Sequence, residues 1–432
     1  MENASVFGAG PRRLREVPRE KDHCPIMERL KHHDILYNDD PLGPWPTHLL
    51  KRLDKPTNKI VGPVERRDER ESPFGKSLLG GYGEEIQREF IRMTVRYPLG
   101  ASLVDMQNHI NTIMRKLNPV ATEKAPIPED ARVLSRHLKA LGYFLGADMM
   151  GIGLLSQSAV YTHNMKGREI EAPFKYAVVF LCRKHDPTIS ASNGWEEIVD
   201  GASFQTYQRL AMQTETMANY IRRLGLEAQA SNMNRYMTIM PQIVLDAGLG
   251  EVSRMGIILN PFLGCNFKAA CVLTNMELET DGYIDFGLQD YCGKCTICAE
   301  QCPPRAITRG PKTLYNGYYT WKLNSKSCSD FDVLNKEGCV CGRCTKVCPW
   351  HIPGQEPRDF AEWDGDLAWL HSRVDEQRQR VIANGYVDPT EHAQKWWFPL
   401  DEVDGRLVVP TDKNRQKICR DYPLQNPWGA NS

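Results

Sequence analysis

Cys292-Gly-Lys-Cys295-Thr-Ile-Cys298-Ala-Glu-Gln-Cys302-Pro303 is the stretch from which the rest of the chain is read. Three cysteines at this spacing let one tight turn present three sulfurs to a single iron-sulfur group, while the fourth, held before proline, points away from it. A second run, Cys341-x2-Cys344-x3-Cys348-Pro349, repeats the pattern with one inner cysteine missing.

The first run has the spacing of two-cluster bacterial ferredoxins, in which the fourth cysteine serves the other cluster. By that rule Cys292, Cys295, Cys298 and Cys348 hold one [4Fe-4S] cluster. Cys302, Cys341 and Cys344 hold the other, and Cys328 supplies its last ligand, with Cys339 as the alternative. Zinc sites pair C-x2-C with another C-x2-C or with histidines, and a four-cysteine run ending in Cys-Pro is rarer there. Cys24, Cys182, Cys265, Cys271 and Cys419 remain as spare thiols, the usual small buried residues.

The chain has 432 residues, enough for two or three domains. Lys plus Arg equals Asp plus Glu at 54 each, so there is no basic field to recruit nucleic acid or an anionic membrane surface. Arg66-Arg67 sits beside acids and reads as solvated surface. No apolar run reaches the length of a spanning helix. Arg12-Arg13 is followed by Leu-Arg-Glu-Val-Pro rather than by an apolar stretch, so the expected compartment is cytoplasmic unless a twin-arginine leader has been removed.

Four regions are expected. Residues 1–125 form an N-terminal wrap, punctuated by Pro41, Pro44, Pro46, Pro56 and Pro63, with helices near Glu84–Tyr97 and Ser102–Leu117. Residues 126–285 alternate helix and strand: helices over Ala131–Leu145, Phe204–Leu224 and Pro241–Ala247, and strands over Ala147–Leu154, Tyr176–Cys182, Glu227–Ala230, Gly256–Leu263 and Lys268–Thr274. The cluster module spans 286–360, and a tryptophan-bearing tail over 361–432 wraps back on it, its Trp363, Trp369, Trp396 and Trp397 read as packing anchors. The fold class is mixed α+β or α/β, with a ferredoxin-like module inserted near the end of a layered domain.

Two clusters move electrons and need an acceptor. No dinucleotide fingerprint, P-loop or paired-histidine zinc motif supplies one. Here resemblance adds what spacing cannot. Ala247-Gly-Leu-Gly-Glu-Val-Ser-Arg-Met-Gly256, the following Cys292…Cys302-Pro303 run, "FLGADMMGIG" (144–153) and "IDFGLQDYCGKC" (284–295) together resemble the reductive dehalogenases, over roughly Ser135 to Pro349. The N-terminal region is similar to that of the non-exported, catabolic type acting on halogenated phenols.

That resemblance implies base-off cobalamin in a nitroreductase-like domain close to one cluster, and an organohalide substrate. It also implies an external low-potential donor such as ferredoxin or flavodoxin, because the fused reductase portion often found in the type is missing from this sequence. Carried over by position, Tyr207 is the proton donor and Lys268, in "NFKAACVLTN", the neighbouring cation. Asn234 in "SNMNRY" is the pocket asparagine, with Asn232 as the alternative. Ser203, four residues before Tyr207, shares its helix face and is expected to line the pocket as a cofactor-binding residue. Leu249, Gly250, Glu251 and Arg254 contact the corrinoid, although Glu251 and Arg254 also read as an ion pair, and the whole segment as a plain helix-to-strand turn. His351 reads as a surface or outer residue rather than a cobalt ligand.

The chemistry is coherent: a cation beside a phenol favours the phenolate, so the lysine makes the tyrosine a better acid toward a carbanion. The cofactor carries the difficult step and the protein supplies position and proton. Two other readings stand beside this one. Epoxyqueuosine reductases share the cofactors and an "AGLG" segment, but carry Trp-x-Gly-Lys-Asn where this chain has Glu-Val-Ser-Arg-Met-Gly. A non-catalytic electron-transfer or corrinoid protein would need no Tyr207.

Overall fold

The centre of the molecule is a four-stranded antiparallel sheet in the order β2-β3-β7-β4, built from Met149–Leu154, Tyr176–Arg183, Phe267–Thr274 and Ala228–Ser231. The computed structural model describes residues 43–96, 98–117, 119–335, 340–386, 395–397 and 401–408. Antiparallel sheets commonly leave one face wet. Here both faces are covered, and the strands read as unbroken apolar runs for that reason: every residue of β3 except Arg183 is buried.

Alternation assigns the two faces. Met149, Ala177, Val179, Leu181, Cys271 and Leu273 join one core, which continues through Phe262 and Phe286 to Trp350 in the cysteine-rich segment. Met150, Ile152, Val178, Phe180, Ala270 and Val272 join the other, against Leu210, Met217 and Ile221 of a long helix and Leu134 and Leu138 of another.

Before the sheet the chain runs through β1 (Lys51–Leu53), α1 (Pro73–Leu78), α2 (Glu84–Arg96), α3 (Pro98–Leu117) and α4 (Ala131–Phe144). Between β3 and β4 come α5 (Asp186–Ala191) and the long α6 (Ile198–Arg223). Then follow α7 (Met240–Asp246), the short strands β5 (Glu251–Val252) and β6 (Ile258–Leu259), and, after β7, β8 (Tyr283–Asp285). The cysteine segment holds α8 (Leu288–Lys294), α9 (Ile297–Glu300), β9 (Thr313–Tyr315), β10 (Tyr318–Thr320), α10 (Ser325–Leu334) and α11 (Arg343–Lys346), and α12 (Leu367–Ala383) comes after it.

Three expectations are corrected. Helix α6 begins at Ile198, six residues before Phe204. Gly201, which discourages a helix in sequence, sits where α3 crosses, and a Cβ there would lie 3.2 Å from Leu99 Cδ2. The strand expected over Gly256–Leu263 is only Ile258–Leu259. Asn260 ends it, its Oδ1 accepting from Phe262 N and Leu263 N (both 2.9 Å) in a side-chain-closed turn. Arg66 and Arg67 are not idle surface: Arg66 donates to the carbonyls of Val160, Tyr161 and Ile170, and Arg67 stacks 4.6 Å from the Tyr315 ring centre.

The N-terminal wrap is tied in by specific contacts. Trp45 stacks on Phe262 at 5.6 Å and meets Phe360 edge-on at 5.8 Å, while β1 pairs antiparallel with β8. Among the anchors of the tail, Trp363 is buried and stacks on Trp369, Trp397 is buried, and Trp396 is exposed. No helix among the described residues is long and apolar enough to cross a membrane.

Candidate functional site

Gly287, with φ +75°, turns the chain into α8 and aims Cys292 inward. Two buried side chains fix this loop. Glu251 accepts from Thr57 Oγ1 (2.6 Å), Phe286 N (3.0 Å), Gln289 Nε2 (3.3 Å) and Leu288 N (3.4 Å), while burial pushes its carboxyl up. Arg254, 2% exposed, donates to the carbonyls of Cys292 (2.7 and 2.9 Å), Thr308 (3.0 Å), Cys295 (3.1 Å), Gly310 (3.1 Å) and Gly293 (3.2 Å). A guanidinium has five N–H donors in a rigid fork, and these bonds occupy that fork.

Glu251 and Arg254 are not each other's partner; both hold the first cysteine loop. Leu249 is buried, and its carbonyl accepts from Asn260 Nδ2 at 2.7 Å. A Cβ on Gly250 would stand 2.2 Å from Leu259 O, so β6 closes over it. The segment joins α7 to β5 and seats the first cysteine loop.

The cysteines fall into two groups. Burial, with Cys348 and Cys295 adding, pushes the Cys292 thiol up to about 12; Cys298 is raised by burial and then by Cys348, Cys292 and Cys295. In the second group burial, with Asp332 and Cys302 adding, raises Cys328 to about 12. Burial likewise raises Cys341 to about 12, with Asp332, Cys328 and Cys302 adding. Cys344 is raised well above its usual value by burial and by Cys341, Cys298, Cys328 and Cys302. Cys339 lies outside the described residues, as do Cys24 and Cys419. Among the described residues no three His, Cys, Asp or Glu side chains close around a single ion. Cys265, expected to be spare, is hydrogen-bonded to Cys348, and its Sγ also donates to Thr345 O at 3.3 Å.

Tyr207, on α6, and Lys268, on β7, meet across the helix–sheet interface, with Lys268 Nζ 4.9 Å from the ring centre. Ser203 is buried one turn before the tyrosine. Asn234 adopts the left-handed conformation (φ +69°) and donates to Asn108 Oδ1 at 2.8 Å; Asn232, fully buried, donates to Thr214 Oγ1 at 3.3 Å. Both asparagines keep a buried carbonyl oxygen without a partner, as does Asn266, two residues before Lys268.

Three residues here were not expected. Tyr236 is hydrogen-bonded to Tyr207, and burial, then Tyr207, holds its hydroxyl well above the usual tyrosine range. Lys184, just past β3, is buried; desolvation, then Lys268, brings its ammonium down to about 8. Asp332 accepts from Cys341 N, and burial raises it to about 7 while Lys268 opposes. Asp332 thus joins the Cys341 backbone by a hydrogen bond and is close enough to Lys268 to feel its charge. His351 is buried, not surface, with Nε2 2.7 Å from Asp186 Oδ1. The one signal in the sequence is the Arg183-Lys184-His185 stretch that closes the apolar run Ala177–Cys182.

The fold closely follows that of a solved catabolic reductive dehalogenase, NpRdhA, in its complex with 3-bromo-4-hydroxybenzoic acid. The TM-score is 0.73 at 32% identity, covering 89% of this chain and 56% of that one. The 4Fe-4S dicluster domain family matches residues 291–352. The chain is similar to the reductive dehalogenases over most of its length. A second member, the tetrachloroethene reductive dehalogenase of Sulfurospirillum multivorans, is 28% identical over 284 residues, or 57% of this chain and 56% of the relative. An epoxyqueuosine reductase of Leadbetterella byssophila is 31% identical over a shorter stretch of 144 residues, 30% of this chain and 46% of the relative. The chain spans about half the length of the dehalogenases it matches.

Proposed function

We propose that this chain carries the catalytic part of a reductive dehalogenase that uses two [4Fe-4S] clusters and base-off cobalamin to replace the halogen of a halogenated phenol or related aromatic by hydrogen. Overall, R–X plus two electrons and one proton gives R–H and X⁻. The observation that carries the reading is the Tyr207–Lys268 pair, standing beside one four-cysteine group. The halophenol complex of the similar NpRdhA directs the choice of substrate class toward phenols.

The cluster ligands would be Cys292, Cys295, Cys298 and Cys348 in one set and Cys302, Cys328, Cys341 and Cys344 in the other. Thiols crowded in this way raise one another, and iron relieves that repulsion by taking each as thiolate. Asn232, Asn234 and Asn266 offer buried carbonyl acceptors, which suit the amide N–H groups at the edge of a corrin ring. Ser203 adds a buried hydroxyl on the same side as Tyr207. Bound cobalamin would supply a low-potential, nucleophilic cobalt able to take halogen from carbon.

The protein's part is position, charge and proton. Tyr207 holds the proton for the carbon that loses halide. Lys268 stabilises the charge that develops on the tyrosine oxygen and pairs with a phenolate substrate. Tyr236 fixes the Tyr207 hydroxyl through their shared hydrogen bond, as a positioning residue. Lys184 and Lys268 together make the site cationic, which favours entry of an anionic substrate. To test the reading, the chain is loaded anaerobically with iron, sulfide and cobalamin, and bromide release from a brominated phenol is followed with a low-potential reductant. Release that requires cobalamin supports the proposal; equal release without it, or failure to bind cobalamin, refutes it.

A further inference from the structure

The first four-cysteine group borders an open cavity of about 590 Å³. Its charged lining is Arg254, Arg309 and Lys312, all cationic, beside Trp321 and the turn at Gly310. Gly293, which lies between Cys292 and Cys295, forms part of its wall, and Arg254 bonds the backbone of that loop at Cys292, Gly293 and Cys295. The cavity therefore opens directly onto the cysteine loop.

The charge here is not cancelled locally. Arg254 donates only to backbone carbonyls and stacks 4.9 Å from the Trp321 ring centre. Lys312 donates to Gln289 Oε1 at 2.6 Å and stands 4.5 Å from the same ring. Among the described residues none of the three is within ion-pair distance of a carboxylate; the buried Glu251 and Asp290 act on Lys312 through space. Arg309 is exposed. This local field is absent from the composition, where charges balance at 54 each.

The two cysteine groups are also placed unequally. In the Cys302, Cys328, Cys341 and Cys344 group, Cys341 N donates to Asp332, and no residue of that group lines the cavity. The group of Cys292, Cys295, Cys298 and Cys348 faces the cationic cavity. We propose that this cavity is the docking site of an acidic, low-potential electron carrier of the ferredoxin class, and that electrons enter at the cluster of Cys292, Cys295, Cys298 and Cys348. The proposal rests on the reading above that clusters occupy both groups.

Each encounter oxidises the carrier by one electron and reduces a [4Fe-4S]²⁺ cluster to [4Fe-4S]¹⁺. Two encounters supply the two electrons that, with one proton, turn R–X into R–H and X⁻. Opposite charge at the contact speeds encounter and is screened by salt.

The test uses the cluster-loaded chain and a plant-type [2Fe-2S] ferredoxin of net negative charge. Two readouts need no substrate: the affinity of the oxidised ferredoxin, and the rate at which the reduced ferredoxin bleaches the cluster absorbance in stopped flow. At low ionic strength Arg309→Glu is expected to weaken both by about tenfold, and salt to weaken the wild type toward the same level. Lys175→Glu, at the opposite end of the sheet from Lys268, should match the wild type. Bleaching by photoreduced deazaflavin should be equal in all three, which confirms intact clusters. Unchanged ferredoxin affinity in Arg309→Glu, or wild-type binding indifferent to salt, overturns the docking site. If the clusters fail to load, the functional reading falls, while salt-dependent ferredoxin binding still decides the surface.

Discussion

Lys268 Nζ lies 4.9 Å from the centre of the Tyr207 ring, so a cation from the central sheet rests on a phenol from the longest helix. The two are 61 positions apart in sequence and meet only because β7 is an inner strand of the sheet and α6 packs across it. In the proposed reaction a cation so placed would stabilise negative charge developing on that phenol, and this is the basis of the first expectation. Lys268→Gln should lower kcat/KM for a bromophenol by about a hundredfold, or ~2.7 kcal/mol, with Lys268→Arg recovering part of the loss. Iron and cobalamin contents measured on the same samples should not change. Equal activity per bound cobalamin in Lys268→Gln would remove the lysine from the mechanism.

Tyr236 meets Tyr207 in a hydrogen bond. Tyr236→Phe removes one bond worth about 1 kcal/mol, so kcat should fall by roughly fivefold with KM little changed. A raised KM with intact kcat would instead make Tyr236 a substrate contact.

Arg254 is a structural keystone of the first cysteine loop. Arg254→Met leaves the carbonyls of Cys292, Gly293, Cys295, Thr308 and Gly310 without their donor. Each buried unsatisfied group costs about 1–3 kcal/mol, enough to loosen one cluster and spare the other. Iron analysis should therefore drop from about eight to about four per chain, with one cluster signal surviving in EPR. Loss of both clusters together would mean the loop and the second group fold as one unit.

Asp246 gives a pH dependence of stability. Burial raises its carboxyl to about 6, opposed by hydrogen bonds from Gln242 (2.8 Å) and Tyr283 (3.1 Å), and its second oxygen has no partner. The folded group holds its proton to higher pH than the unfolded one, whose value is near ~3.9. The native state thus binds more protons between about 4 and 6, and the group's contribution to stability falls as pH rises through that window. Asp246→Asn keeps the accepting oxygen and removes this slope. Urea unfolding should show the variant gaining on the wild type by ~2 kcal/mol between pH 4 and pH 7; a constant difference across that range would contradict it.

The proposed cluster ligands are legible in sequence because metal ligands on one loop keep a fixed chain spacing, and four of the eight proposed lie within Cys292–Cys302. The sheet is legible because a strand buried on both faces is an unbroken apolar run, as in β3. The surroundings of Tyr207 are not. Tyr236, Lys184 and Asp332 come from three separate segments, and no local pattern links them. Glu251 and Arg254 show the opposite difficulty: the motif that holds them is conspicuous, but their partners, Phe286 N and the Cys292 carbonyl among them, are fixed only by folding. The helix boundary at Ile198 was hidden for a related reason, since Gly201 makes room for Leu99 of a neighbouring helix.

The central claim is that Tyr207 delivers the proton in a cobalamin-dependent dehalogenation, and Tyr207→Phe tests it most directly. Wild type and variant are loaded in parallel, their iron and cobalamin contents matched, and bromide release from a bromophenol measured under one reductant. The account predicts full cofactor content in both and a loss of at least about a hundredfold in the variant. Bromide release by Tyr207→Phe at the wild-type rate would contradict it.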